Sequence, residues 1–175
     1  MKILFLTQTF NALAQRLFIQ LTDAGHEVAI EFDVNDAVTR EAVSRIPCLV
    51  VHPGVPGDRG PSSLDWAIQE GEREWGVTVL RAEAQMDAGP VFAFRSFPMR
   101  SAPKSSLYRR EVTEAAAQAV MEAVEKLARG VMPVSVAELG EAARGRARPL
   151  MRQADRAIDW TRDDTSTVLR KIHAA

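Results

Sequence analysis

A single cysteine, Cys48, stands in a chain of 175 residues. That excludes an internal disulfide and any thiolate-rich zinc site, so no metal centre is predicted and a reducing, cytoplasmic setting is expected. Charge of one sign is missing too: 22 Lys and Arg face 23 Asp and Glu, a net charge of −1. Nothing in that balance steers the chain toward nucleic acid or an acidic membrane. No apolar run is long enough to cross a bilayer, and Met1 to Leu6 lacks the basic flank and cleavage site of a leader. The first strand-to-helix turn carries Thr9, Asn11, Gln15 and Arg16 but no G-x-G-x-x-G, which disfavours ordinary dinucleotide binding. Internal repeats and low-complexity blocks are also lacking. A small-molecule partner is what these absences leave.

What is present reads as one α/β core with a tail. A hydrophobic share of 46% in 175 residues is enough for one sizeable core and too little for two full domains. Lys2 to Leu6 predicts a buried strand, and Asn11 caps a helix to about Ala24 whose Leu13, Leu17 and Leu21 recur every fourth position. Gly25 ends it, and Glu27 to Val34 predicts a second strand with Val28, Ile30 and Phe32 on one face. A short helix from about Asp36 to Arg45 leads to the continuous apolar run Cys48 to His52, which predicts a parallel strand buried on both faces. Pro53 to Pro61 is too rich in Pro and Gly for regular structure and predicts an ordered loop.

Ser62 or Ser63 then caps a helix ended by Gly71, followed by strands Trp75 to Leu80 and Val91 to Phe97 joined through the turn Met86 to Pro90. Ser105 or Ser106 opens a helix with Val112, Ala116, Val120, Val124 and Leu127 on one stripe, ending at Gly130. From Val131 the pattern weakens. Arg144, Arg146, Arg148, Arg152 and Arg156 give that stretch the look of a linker, and Thr161 to Ala175 that of a short docking helix.

Two residues stand where chemistry is expected. An imidazole with an ordinary pKa of about 6.5, placed at a strand end beside a glycine-rich loop, suits acid–base work, and this describes His52. Asp87 lies in a tight turn at the end of another strand, where a carboxylate can hold an imidazole in one tautomer. Each has a plainer reading: His52 as a hydrogen-bonded structural histidine, and Asp87 as a turn residue bonding its own backbone.

The order of these segments resembles the folate-dependent formyltransferases. The resemblance rests on His52 Pro53 Gly54, Gly57 Asp58 Arg59 Gly60 Pro61 Ser62, Leu64 Asp65 Trp66 Ala67 Ile68, Gly76 Val77 Thr78, Met86 Asp87 Ala88 Gly89 and Lys104 Ser105 Ser106 Leu107 Tyr108 Arg109 Arg110 Glu111. Met151 to Trp160 extends it nearly to the end. Within the family, this wording is similar to a branch that serves nickel–iron hydrogenase maturation. The resemblance implies a mostly parallel Rossmann-like sheet flanked by helices over residues 1–130, with 131–175 as linker and start of a C-terminal subdomain.

It further implies 10-formyltetrahydrofolate as formyl donor, with coenzyme A as acceptor on the way to a carbon monoxide ligand. An enoyl-CoA-hydratase-like domain and the hydrogenase maturation machinery are the implied partners. His52 and Asp87 are then the catalytic pair. Arg59, Gly60 and Gly89 frame the folate pocket, and Asn11, Gln15 and Arg16 meet coenzyme A at a helix N-terminus. A solvated helix face reads equally well for those last three.

Two departures qualify the resemblance. Val50 takes the position, two before the histidine, where most of the family has an asparagine. Between Arg45 and Ile46 the chain lacks a strand and helix that relatives carry, which exposes strand edges and removes part of the folate pocket. Either the strand ending at His52 slides in beside the first, giving a shortened but continuous sheet, or the gene is truncated or damaged there. A remnant without activity, or an enzyme with another acceptor, stays open beside the formyl-CoA reading.

Overall fold

The computed structural model describes residues 1–9, 11–32 and 44–175. It is an α/β fold. β1 (Lys2–Leu6) pairs in parallel with β2 (Glu27–Glu31), Lys2 opposite Glu27 and Leu6 opposite Glu31, and α1 (Ala12–Asp23) crosses between them. Asn11 caps α1 as its sequence position predicts, its side chain accepting from the Ala14 amide at 3.0 Å. Leu17 and Leu21 are buried and Leu13 half-buried, so the four-residue spacing does place one face of α1 on the core. Loss of the cap is expected to be modest: Asn11→Ala should lower stability by about 1 kcal/mol, measured by thermal denaturation.

β3 (Leu49–His52) corrects one expectation. It runs antiparallel to β4 (Glu74–Arg81), with Leu49 opposite Arg81 and His52 opposite Thr78, and β4 is in turn antiparallel to β5 (Val91–Pro98). Among the described residues β1 and β2 are the parallel pair of strands, Arg59 and Ala147 form one isolated parallel bridge, and β1 and β3 do not pair. A continuous apolar run reports burial and carries no information on strand direction. Burial is also one-sided here, for Val51 is 37% exposed while His52 is buried. Similarly, β2 stops at Glu31, and Phe32 lies exposed rather than on its inner face. The remaining predicted strand positions 33–34, and residues 36–43 of the predicted helix to Arg45, lie outside the described residues.

α2 (Ser63–Glu70) ends at Gly71 in the left-handed conformation, as predicted. The last long helix starts earlier than its serines suggest. α3 (Lys104–Leu107) follows Pro103, passes through a π-helical turn at Tyr108–Val112 and continues as α4 (Thr113–Ala128). Its buried Val112, Ala116, Val120 and Val124 lie on the stripe read from the sequence. Leu17 and Leu21 of α1, Val79 and Phe92 of the antiparallel sheet, and Val120 and Val124 of α4 share one core cluster, which ties the two sheets together. Each such side chain contributes roughly 1.5–3 kcal/mol on burial.

Beyond Gly130 the chain packs back on itself. Short 3-10 turns at Val136–Ala142 and Gln153–Arg156 precede α5 (Thr165–His173), which docks on α2 through Arg170 Nε donating to the Gln69 carbonyl at 3.1 Å. The stretch 145–151 returns to the loop after His52. Arg59 donates to the Arg146 carbonyl (3.1 Å), Arg148 to the Arg59 carbonyl (2.7 Å) and Gly145 to the Pro56 carbonyl (3.0 Å).

Candidate functional site

His52 occupies the last position of β3, opposite Thr78, and its side chain is 4% exposed. The loop that follows is held from beneath. The Pro53 carbonyl accepts from Trp75 Nε1 at 2.9 Å and from the Ser63 hydroxyl at 3.0 Å, and the Gly54 carbonyl accepts from the Thr78 hydroxyl at 2.7 Å. These bonds fix the backbone immediately after the imidazole, leaving little freedom at the ring.

The structure brings His52 and Asp87 together across 35 positions of chain, with Nδ1 3.4 Å from Asp87 Oδ2. Asp87 takes the left-handed backbone conformation (φ 54°), which a short polar side chain tolerates. Its carboxylate accepts from the Gly60 amide at 3.1 Å, so the turn before β5 is tied to the loop after β3. Gly60 itself has φ 120°, and a Cβ there would collide with the Arg148 carbonyl. The position therefore requires glycine for backbone geometry and close packing.

A second carboxylate, which the sequence reading passed over as a loop residue, sits on the other side of the ring. His52 Nε2 is 3.1 Å from Asp58 Oδ1, closer than Nδ1 is to Asp87. Asp58 Oδ2 accepts from Arg148 Nε at 2.6 Å, and Arg148 Nη1 donates to Glu70 at 2.7 Å. Arg148 also lies over the Trp75 ring, 5.2 Å from its centroid, a cation–π contact. Burial opposes the charged form of Asp58. Hydrogen bonds from His52, Ser63 and Arg148, with the Arg148 charge, outweigh it and hold the carboxyl below its ordinary value. Arg148 reaches the site because Gly145 lies against the Asp58 backbone, where any Cβ would clash.

The other predicted positions divide. Arg59 and Gly60 lie in the loop beside His52, half-exposed, with the Arg59 backbone bonded to residues 146 and 148. Gly89 is buried, and a Cβ on it would meet the Arg81 carbonyl. Asn11, Gln15 and Arg16 share the first turns of α1. Asn11 caps the helix, Gln15 is exposed, and Arg16 pairs with Glu114 at 2.6 Å.

A cleft of about 320 Å³ opens between that end of α1 and the π-helical turn. Asn11, Leu13, Val77, Arg109 and Ala116 line it, and so do Val51 and Pro53, the two neighbours of His52. Its wall is mostly apolar with polar groups at the ends, a fit for an extended arm with a charged terminus. At that rim, desolvation and the Asp65 charge push the Tyr108 hydroxyl up to about 12, so it stays a neutral donor although the residue is 38% exposed.

With this geometry in view, residues 34–124 match the model of the family described as formyl transferase. The chain is 49% identical over 197 aligned positions to the hydrogenase maturation factor HoxX of Bradyrhizobium diazoefficiens, a match covering 100% of the chain and 35% of that protein. It is 32% identical over 128 positions to a methionyl-tRNA formyltransferase of Roseiflexus sp. (strain RS-1), covering 71% of the chain and 38% of that protein. Among solved structures it resembles HypX from Aquifex aeolicus in complex with tetrahydrofolic acid. That match has a TM-score of 0.83 and 44% identity, over 98% of the chain and 33% of HypX. The chain thus spans little more than a third of the curated relatives it matches. The HoxX alignment has 197 positions against 175 residues here, a difference of 22 that lies within the matched span.

Proposed function

Since the chain belongs to the formyl transferase family, we propose that it takes a formyl group from 10-formyltetrahydrofolate and passes it to coenzyme A, as one step of hydrogenase maturation. The observation that carries this reading is the buried contact between His52 and Asp87 at the end of β3. The HoxX relative and the tetrahydrofolate complex of HypX support the process and the donor. In this reading residues 1–130 are the formyltransferase domain and 131–175 begin a C-terminal subdomain. An enoyl-CoA-hydratase-like domain and the maturation machinery complete the setting.

The chemistry asked of the site is modest. A thiol with a pKa of about 8.5 is easily activated, and its proton passes to the His52–Asp87 pair as sulfur bonds the formyl carbon. The carbonyl electron pair moves to oxygen, giving a tetrahedral intermediate. Collapse restores the carbonyl and breaks the bond to the folate nitrogen, which takes the proton back through Asp87. Formyl-CoA and tetrahydrofolate leave. Arg59, Gly60 and Gly89 frame the folate side of this arrangement, and Asn11, Gln15 and Arg16 the coenzyme A side.

The 22-position shortfall against HoxX favours a second reading, a remnant that keeps the pair but does not hold folate. Incubation with 10-formyltetrahydrofolate and coenzyme A, followed by product analysis, separates the readings. Formyl-CoA is expected. Free formate or a formylated amine would move the acceptor elsewhere, and absence of folate binding at saturating ligand would favour the remnant.

A further inference from the structure

We infer that Asp58 and Arg148 form a fixed clamp on His52 Nε2, so that the ring's exchangeable proton lies on the Nδ1 side, facing Asp87. The inference rests on the reading of His52 as the acid–base group, but its geometry stands without any ligand. Arg148 can only donate, and its Nε takes Asp58 Oδ2 at 2.6 Å. The other oxygen, Oδ1, faces His52 Nε2 at 3.1 Å. An ionised carboxylate only accepts, so Nε2 must carry hydrogen and donate. Nδ1 approaches Asp87 Oδ2 at 3.4 Å without forming a hydrogen bond, so it is the nitrogen left with a lone pair in the neutral ring.

The two carboxylates thus divide the work. Both oxygens of Asp58 are engaged, by His52 and by Arg148, so Asp58 has no reason to take up a proton. Asp87 has the Gly60 amide as its neutral partner and, among the described residues, pairs with no cation beyond the ring. Asp87 is therefore the one able to exchange a proton with Nδ1 and with a reacting group. Asp58 and Arg148 act through His52 and are positioning residues. Glu70, the second acceptor for the guanidinium, fixes Arg148 in turn.

The sharpest test is Asp58→Asn. Arg148 must still meet an acceptor, so the amide oxygen turns to it and the NH2 group turns to His52. Nε2 is then forced to accept, and the neutral ring moves its proton to Nδ1. Nitrogen-15 NMR of histidine-labelled chain without ligand reads this directly, with His52 resolved from His26 and His173 by comparison with the His26→Gln and His173→Gln variants. In the unaltered chain at pH 9, Nε2 should be pyrrole-type and Nδ1 pyridine-type. In Asp58→Asn the two should exchange, and formyl transfer should fall at least about a hundredfold in kcat with KM within about twofold, as expected for a ring in the wrong tautomer.

Arg148→Lys removes the Nε bond while keeping the charge, so Asp58 stays an ionised acceptor and Nε2 should remain pyrrole-type. A reversed pattern in the unaltered chain, or a ring that keeps its Nδ1 proton up to pH 9, overturns the clamp whether or not any variant folds. Correct tautomers without any formyl transfer would instead reject the proposed reaction and leave the clamp standing.

Discussion

His52→Ala and Asp87→Asn are each expected to lower the rate of formyl transfer at least about a hundredfold, the usual scale for one acid–base group. The comparison is informative because the second substitution leaves the backbone intact. Asparagine accepts the left-handed conformation that Asp87 adopts (φ 54°), and its amide oxygen can still accept from Gly60. What it cannot do is exchange a proton with His52. Steady-state rates of tetrahydrofolate release should therefore collapse in a variant whose circular dichroism and melting temperature stay near those of the parent. The double variant should be little worse than either single one, because members of one catalytic unit fail together. Parent-like turnover in either single variant would remove the basis for the assignment.

Arg148→Met is expected to be the most destabilising single change at the site, by about 3–5 kcal/mol, because it strands a buried carboxylate without its cation. Asp58 has a fully buried side chain, and that of Arg148 is only 5% exposed. In a chain of this length such a loss should lower the melting temperature by roughly 10–15 °C. The penalty should also depend on pH. Asp58 is held below its ordinary value of 3.8, so its contribution is complete above that value and disappears as pH falls through the lower folded-state value. Melting curves of parent and variant should accordingly lie far apart at pH 7 and draw together as pH falls below 3.8 toward the lower folded-state value. A constant separation across that range would show that packing, not charge, sets the loss.

Much of this arrangement could be read from residue order, and what could not has identifiable causes. The spacing of Leu13, Leu17 and Leu21 gave α1 and its inner face, because helical periodicity is a local property. His52 and Asp87 stood out through strand ends and turns, and they do meet. Strand direction was illegible: Leu49 to His52 has the same apolar look whether its neighbour runs one way or the other. Asp58 was hidden by its own loop, since an aspartate between two glycines and an arginine is an ordinary turn residue until its partner is known. Arg148 was hidden among four other arginines that look equivalent in sequence. Only one of the five reaches Asp58, and what selects it is the glycine at 145, which lets its strand of chain lie against the loop.

The bond between Arg148 and Asp58 joins positions 90 apart. A nascent polypeptide leaves the ribosome from its N-terminus at about 5–20 residues per second. The histidine therefore emerges several seconds before the guanidinium that immobilises it through Asp58. Until then the imidazole is loose and the aspartate lacks its cation, so this centre can mature only after residue 148 has emerged.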